Sequence, residues 1–202
     1  MIGTDIIDLN YQDHPSRWKE ERYWQKVLVE EELVWVKAQE KPFIAFLISW
    51  AIKEAAYKLV CNIDHQHRFI PKIFTINYLR EIKYYDSIYY KVNSPYGELF
   101  AELKSTATFI QAIAVFKQSD LHQAKTYSFP LSETDLRSQS FQTKKIILEH
   151  FSKNSSFDNR ILEIRKKNSI PGLYISGKES QIELSISHHG HWGAFAYVDT
   201  PL

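Results

Sequence analysis

The chain has little of several residue types that mark particular protein classes. It contains one cysteine in 202 residues, so no internal disulfide can form and a disulfide-stabilised domain is excluded. Glycine and proline number only six and seven, which excludes a collagen-like or disordered chain. The longest apolar run, residues 43–52, is shorter than the roughly 20 residues that a membrane-spanning helix needs. We therefore expect an ordered, soluble protein.

The chain also lacks an excess of charge of either sign. Lysine and arginine number 25 against 24 aspartates and glutamates, a net charge of +1, so the surface as a whole is not built for nucleic acid or anionic lipid. The first residues lack the basic segment and apolar core of a secretion signal. Cys61 follows an apolar helical stretch and is interpreted as a small buried core residue. These features predict a cytoplasmic protein that binds neither nucleic acid nor membranes.

Hydrophobic patterning predicts an α+β chain. The predicted helices span residues 16–29, 30–37, 43–60, with Pro42 opening the third, and 132–152. The predicted strands are residues 1–9, an antiparallel sheet within 68–116, and 161–164, 172–175, 182–188 and 193–198. The polar stretch 117–128 contains nothing that demands burial, so we place a boundary there and divide the chain into a first half, 1–120, and a second half, 121–202.

Each half ends in an alanine-rich strand, residues 111–116 and 193–198, with small residues at alternate positions. Two six-residue strands resemble each other by chance often enough that this similarity carries no conclusion alone. It is a faint internal repeat that other motifs must support.

Two carboxylates stand in apolar surroundings. Asp5 lies inside an apolar strand, and Glu54 lies in the largely buried helix 43–60. An ionised carboxylate in such a place is costly unless it is paired, hydrogen-bonded or bound to a metal. If strand and helix pack together, the two could hold a hard cation such as Mg²⁺. The alternative is ordinary salt bridging to Lys53 or Lys58.

Lys58 follows Glu54 by four residues, on the same helix face. It is either half of an ordinary i,i+4 ion pair or a phosphate ligand beside a metal. Strand alternation turns Asp8 away from Asp5, so Asp8 is interpreted as a turn or cap residue.

Residues 185–192, with the sequence SISHHGHW, place hydroxyls and imidazoles where a strand must end and turn. Such a site can donate hydrogen bonds to a phosphate. Three histidines within four positions also make zinc binding an alternative, but no cysteine or acidic partner stands at ligand spacing. The remaining alternative is a polar hairpin turn.

Taken together, these residues resemble the 4′-phosphopantetheinyl transferase superfamily. The resemblance rests on Gly3-Thr4-Asp5-Ile6, on Ser185-Ile186-Ser187-His188 and on residues 50–58, which match the pattern W-x-x-K-E-A-x-x-K at every fixed position. Residues 23–28, leading to 31–33, also look like the segment before the metal-binding helix of short holo-acyl-carrier-protein synthases. The resemblance thus reaches both ends of the chain.

The resemblance implies two similar α+β halves that form an intramolecular pseudo-dimer, as in the longer, surfactin-activating type. The order of the halves looks exchanged, because the half bearing the Asp5 and Glu54 motifs comes first. The segment 161–167 resembles the one that precedes the serine-histidine motif in the long type, although the usual glycine-lysine before proline is Ser169-Ile170 here. Ile7 stands where long-type members carry a third acidic ligand.

By resemblance, Asp5 and Glu54 would hold Mg²⁺ on the pyrophosphate of coenzyme A, and Lys58 would neutralise the transferred phosphate. Glu54, directly or through a bound water, would take the proton from a serine of an acyl or peptidyl carrier protein. The products would be the holo-carrier and 3′,5′-ADP. The coenzyme A contacts predicted in the second half are Ser187, His188, Arg165 and Lys167.

Lys19, Arg22 and Lys26 recur at intervals of three and four and are predicted to form one basic helical face that docks an acidic carrier protein. The alternative is a solvated charged face. We expect a monomer that serves fatty acid, polyketide or peptide synthesis. Two other functions stay open, a non-catalytic binder of coenzyme A or carrier protein with the same fold, and an interaction protein whose C-terminal histidines bind zinc.

Overall fold

A computed structural model describes residues 1–64, 68–84, 87–153 and 161–198, with the backbone alone at 79–84 and 87. It contains helices and antiparallel sheets, which confirms the α+β prediction. The helices are α1 (Glu21–Val27), α2 (Glu30–Lys37), α3 (Pro42–Cys61), α4 (Gln118–Leu121) and α5 (Leu136–Lys153). The strands are β1 (Ile2–Asp8), β2 (Thr75–Tyr84), β3 (Ser87–Ser94), β4 (Gly97–Ser105), β5 (Phe109–Val115), β6 (Lys125–Pro130), β7 (Leu162–Lys167), β8 (Ile170–Ile175), β9 (Lys178–Glu179), β10 (Glu183–His189) and β11 (Trp192–Val198).

The first half forms a five-stranded antiparallel sheet in the order β1-β5-β4-β3-β2. Helix α3 packs across it and buries an apolar face that includes Phe46, Ile52 and Leu59. Pro42 occupies the first turn of α3, as predicted, because the missing N–H of proline costs nothing there. The main core therefore lies between α3 and this sheet.

The second half forms two three-stranded sheets, in the orders β10-β11-β6 and β7-β8-β9, with α5 packed against them. Its core includes Ile147 and Phe151 from α5 and Phe195 from β11. Helix α5 begins at Leu136 rather than near 132, because the Asp135 carboxylate accepts hydrogen bonds from the backbone N–H groups of residues 137 and 138. The two alanine-rich strands, β5 and β11, are both interior strands of their sheets, with a neighbour on each side.

The two halves meet along β1. A small apolar cluster that includes Ile2, Val115 and Val198 lies between the sheets. Three backbone N–H groups at the free edge of β1, those of Thr4, Ile6 and Asp8, donate to side chains of β10. Their acceptors are Ser185 Oγ at 2.9 Å, Ser187 Oγ at 3.3 Å and His189 Nδ1 at 3.2 Å. Side chains of one edge strand thus satisfy the backbone of the other.

The predicted helix 16–29 is wrong in its continuity. Residues Ser16–Lys19 form a 3-10 turn, Glu20 is extended, and α1 begins only at Glu21. The break lets Trp18 and Trp24 both become buried, and Trp24 Nε1 donates to the Trp18 carbonyl at 2.6 Å. Burial of two large aromatic side chains outweighs one continuous helix.

The interpretation of residues 117–128 as a stretch without buried residues is also wrong. Leu121 is buried in the cluster between the sheets, and the stretch from Lys125 belongs to β6, which pairs with β11. The division of the chain at 120/121 stays an interpretation. Among the described residues, no helix combines the length and the apolar character that a membrane crossing requires.

Candidate active site

Gly3 brings β1 into direct contact with helix α3. A Cβ atom on Gly3 would lie 2.0 Å from the Ala55 carbonyl oxygen and 2.6 Å from the Leu59 backbone nitrogen, so only glycine allows the approach. Two residues further along the same face of β1 stands Asp5, beside the turn of α3 that carries Glu54 and Lys58. The glycine therefore sets the distance between the two predicted metal-site elements.

Asp5, Lys58 and Ser187 form a closed hydrogen-bonded group. Lys58 Nζ donates to Asp5 Oδ1 at 2.8 Å and to Ser187 Oγ at 3.1 Å. Ser187 Oγ in turn donates to Asp5 Oδ1 at 2.7 Å. Glu54 Oε1 lies 3.5 Å from Lys58 Nζ, while Glu54 Oε2 accepts a hydrogen bond of 2.8 Å from Trp50 Nε1. The strand, the helix and the serine motif predicted from sequence thus converge on one point.

The electrostatics of this group favour an additional positive charge. Burial raises the pKa of Asp5 to about 7, and the nearby Glu54 acts in the same direction, while Lys58 and Ser187 oppose it. Burial lowers the pKa of Lys58, but Asp5 and Glu54 outweigh burial and raise it. One ammonium group therefore does not fully compensate two carboxylates.

The group lies in the wall of a cleft of about 620 Å³ between the two halves. Asp5, Glu54 and Lys58 line it from the first half, and Lys144, Lys166 and His188 line it from the second. The volume lies in the range typical of sites that bind small organic molecules. Three of these six side chains are lysines and a fourth is a histidine, so the cleft offers cations for an anionic ligand.

A family model of the 4′-phosphopantetheinyl transferase superfamily matches residues 1–88. The resemblance is confirmed. The match covers Asp5, Glu54 and Lys58 but ends before Ser187 and His188. A search of curated proteins finds no match to the chain.

His188, the second residue of the serine-histidine motif, is held by Gln139 of α5. Gln139 is buried, and its Nε2 donates to the Gly190 carbonyl at 2.7 Å, which leaves its Oε1 2.8 Å from His188 Nδ1. The Nδ1 atom of His188 therefore carries the proton. Burial lowers the pKa of His188, and Lys58 and Lys166 lower it further. Nothing in the sequence marked Gln139, because a glutamine inside a polar helix carries no distinctive pattern.

The predicted coenzyme A contacts Arg165 and Lys167 are not on the wall of this cleft. Strand alternation turns them to the face of β7 opposite Lys166. The Arg165 guanidinium pairs with the Glu163 carboxylate and lies over Tyr174. Lys167 lines a smaller neighbouring cleft of about 280 Å³. Lys166 replaces both as the cleft-facing cation of β7, since the phase of a short strand cannot be read from its charges.

Aromatic side chains close one end of the cleft. Trp18 and Trp50 lie with ring centroids 5.1 Å apart, and His189 stacks on Trp18 at 5.8 Å and on His14 at 5.0 Å. Burial lowers the pKa of His189 to about 4, with His14 acting in the same direction. The cluster keeps Glu54 beside an apolar wall.

Asp8 fixes the turn that follows the serine-histidine motif. Its Oδ1 accepts from the Asn10 backbone N–H at 2.9 Å, and its Oδ2 accepts from the His191 N–H at 2.8 Å. Gly190 has φ of +55°, and a Cβ there would lie 2.5 Å from Asp8 Oδ2. Both carboxylate oxygens are thus committed to backbone groups. The geometry agrees with the interpretation of Asp8 as a turn residue.

Lys53 has a different partner from the one that its position beside Glu54 favours. It is fully buried and pairs with Glu32 of α2 at 2.8 Å, and its Nζ also donates to the carbonyls of Pro71 and Phe74. The Glu32 carboxylate also accepts from the backbone N–H of Val29. Lys53 therefore ties α2, α3 and the start of β2 together and leaves Glu54 facing the cleft.

Cys61 is half-buried on the cleft wall rather than a core residue. Burial raises the pKa of its thiol, so the thiolate nucleophile is scarce at neutral pH. The apolar residues before it misled the prediction, because Cys61 is the last residue of α3 and lies past the packed face.

The predicted basic docking face is divided. Lys19 belongs to the 3-10 turn, whereas Arg22 and Lys26 lie on α1 beyond the extended Glu20. The Arg22 guanidinium is bonded to Glu20 at 2.7 Å. The three cations therefore do not share a continuous helix.

Members of the superfamily use coenzyme A and a divalent metal. Within the described residues, no group of three histidine, cysteine, aspartate or glutamate side chains converges on a metal site. The buried pair Asp5 and Glu54 nevertheless suits Mg²⁺, which commonly takes one or two carboxylates and completes its coordination with water and phosphate oxygens. The clustered histidines have separate surroundings, Gln139 for His188 and the aromatic cluster for His189.

Proposed function

We propose that the protein is a magnesium-dependent 4′-phosphopantetheinyl transferase, which moves phosphopantetheine from coenzyme A to a serine of an acyl or peptidyl carrier protein. The observation that carries the proposal is the convergence of Asp5, Glu54 and Ser187 on Lys58 in a cleft between the two halves. The superfamily match over residues 1–88 supports the transferase class.

In the proposed reaction the carrier serine oxygen bonds to the β-phosphorus of coenzyme A. The bond from that phosphorus to the bridging oxygen breaks, and its electron pair leaves with 3′,5′-ADP. The serine proton passes to Glu54, whose side chain is 29% exposed at the cleft and therefore reachable. Trp50 holds one Glu54 oxygen by a hydrogen bond, which orients the carboxylate.

Asp5 and Glu54 are the residues that would hold Mg²⁺. Bound there, the ion would neutralise the pyrophosphate and stabilise charge that develops on its oxygens. Lys58 supplies a second positive charge to the transferred phosphoryl group. Ser187 is hydrogen-bonded to both Asp5 and Lys58 and so fixes their positions. The raised pKa of Asp5 agrees with a carboxylate that awaits a cation.

We assign the nucleotide phosphates of coenzyme A to the cations of the second half. His188 and Lys166 line the cleft on β10 and β7, and Lys144 lines it on α5. A neutral His188 with its proton on Nδ1 presents Nε2 as an acceptor, so contact with a phosphate requires it to take up a second proton.

Docking of the carrier at Lys19, Arg22 and Lys26 remains a proposal, with the two cations of α1 as its best-placed members. Trp18, next to Lys19, lines the cleft, so this surface borders the site. Charge reversal at Arg22 and Lys26 is expected to raise the KM for the carrier and to leave coenzyme A binding unchanged.

The test is intact-mass spectrometry of an apo acyl carrier protein incubated with this protein, coenzyme A and Mg²⁺, with release of 3′,5′-ADP followed in parallel. The proposal expects a gain of one phosphopantetheine group, lost when magnesium is chelated. The alternative, a non-catalytic binder of the same fold, predicts coenzyme A binding in a titration with no mass gain on any carrier. Absence of both would remove the proposal and the alternative together.

A further inference from the structure

The outer face of α5 carries an exposed aromatic ring among cations. Phe141 is 70% exposed, more than any other large aromatic side chain that the structure describes as exposed. Arg137 precedes Phe141 by four residues, and Lys144 and Lys145 follow it by three and four residues. At this spacing all four side chains share one helical face. We call these four residues the α5 face.

The fold does not account for this face. The residues that α5 buries are Gln139, Thr143, Ile147 and Phe151. Phe141 points away from that side, and Lys145 is 66% exposed, with only a long contact of 4.0 Å to Glu149. An exposed aromatic side chain beside arginine and lysine is the composition of a protein-binding hot spot.

The face borders the mouth of the cleft. Lys144 belongs to the α5 face and also lines the cleft, as do Ser140 and Thr143 on the adjoining side of the helix. A protein that presents a serine to Glu54 has to cover this mouth. It therefore contacts the α5 face unless it approaches entirely from the side of α1.

The surface on α1 is chemically different. Its exposed residues include Glu21, Arg22, Gln25 and Lys26, with no large apolar side chain among them. Glu21 pairs with Lys37 and Arg22 pairs with Glu20, so positive and negative charges alternate there. Of the two surfaces, the α5 face is the one that places an exposed aromatic side chain beside cations.

We propose that the α5 face is a second docking surface for the carrier protein, beside the cations of α1, and that it binds an acidic surface of the carrier that places an apolar side chain on Phe141. This inference rests on the proposed transferase function, since that reaction requires a protein to cover the cleft. Arg137 and Lys145 provide the charge complementarity, which acts mainly on association and selectivity. Phe141 provides the apolar contact that lowers the dissociation rate.

The experiment measures two quantities for the full chain, the steady-state KM for an apo acyl carrier protein and the direct binding of that carrier without coenzyme A. The variants are Arg137→Glu/Lys145→Glu and Phe141→Ser. The matched control is Lys117→Glu/Lys178→Glu, which changes the net charge equally at two exposed lysines outside α5 and the cleft. Thermal unfolding establishes that each variant is folded.

We expect the carrier KM and Kd to rise about tenfold in the α5-face variants and to stay unchanged in the control. The Kd of coenzyme A should not change in any of them. If the wild type transfers and the α5-face variants keep its KM, the docking surface is wrong and the function stands. If the wild type binds the carrier without transferring and the variants bind it tenfold less, the function is wrong and the surface stands. A wild type that neither binds nor modifies the carrier overturns both.

Discussion

Ser187 Oγ donates a hydrogen bond of 2.7 Å to Asp5 Oδ1, although 182 positions separate the two residues. The bond joins the edge strand of one sheet to the edge strand of the other at the point where Lys58 reaches both. The candidate site is therefore part of the junction between the halves, so that forming the junction also completes the site.

Replacing Ser187 by alanine should weaken both the junction and the site. The Ile6 N–H loses its acceptor, which costs about 1–3 kcal/mol in the free energy of unfolding. The pKa of Asp5 should rise above about 7, because the Ser187 hydrogen bond lowers it. Denaturant unfolding and the pH profile of transfer check the two effects. Ser152→Ala, which removes an exposed hydroxyl that bonds within α5, is the control.

Gly3→Ala should be among the most damaging small substitutions in the chain. The added methyl would lie 2.0 Å from the Ala55 carbonyl oxygen, so β1 has to move away from α3 at a cost of about 3 kcal/mol. Gly172→Ala is a matched control, since the nearest atoms to its Cβ lie 3.4 Å away on side chains. Equal melting temperatures of the two variants would contradict the proposed role of Gly3 in spacing the site.

Lys53→Met should destabilise the protein by about 3–5 kcal/mol, because it leaves the buried Glu32 carboxylate without its cation. The exposed pair Lys145 and Glu149 offers the comparison, and Lys145→Met should cost less than about 0.5 kcal/mol. Chemical denaturation measures both. A loss for Lys53→Met as small as that for Lys145→Met would show that the buried pair contributes little.

Acid should destabilise the protein through His189. Its pKa in the folded state is about 4, below the value of 6.5 in the unfolded state, so as the pH falls from about 6.5 to 4 the unfolded chain gains a proton that the folded chain does not. Stability present above pH 6.5 is lost through that window, by about 3 kcal/mol from this group. In His189→Gln the slope of the unfolding free energy against pH should decrease in this window, because unfolding takes up about one proton fewer. An unchanged slope would show that groups other than His189 cause the acid sensitivity.

The sequence predicted the parts of the site that depend on helix and strand periodicity. Asp5 on β1, and Glu54 with Lys58 one turn apart on α3, follow from local spacing and from the W-x-x-K-E-A-x-x-K pattern. The serine-histidine motif rests on the resemblance and lies on β10, which the sequence also predicts as a strand. These residues lie on long, regular elements, whose faces are fixed by their own periodicity.

What the sequence could not supply depends on contacts between distant segments. The partner of Lys53 is Glu32 on another helix, and the partner of His188 is Gln139 on α5. Arg165 and Lys167 were placed on the cleft because the phase of the short strand β7 is set by its pairing with β8 and not by its own pattern. The break before α1 reflects the burial of Trp18, which is a tertiary effect.

The central claim is that Glu54, at the cleft between the halves, accepts the proton of the attacking serine. The most direct test is the rate of phosphopantetheine transfer, followed by intact mass, for the wild type, Glu54→Gln and the control Glu31→Gln, whose side chain is exposed on α2. We predict transfer by the wild type and Glu31→Gln, and a loss of about a hundredfold or more in Glu54→Gln with coenzyme A still bound. Transfer by Glu54→Gln at the wild-type rate would contradict the account.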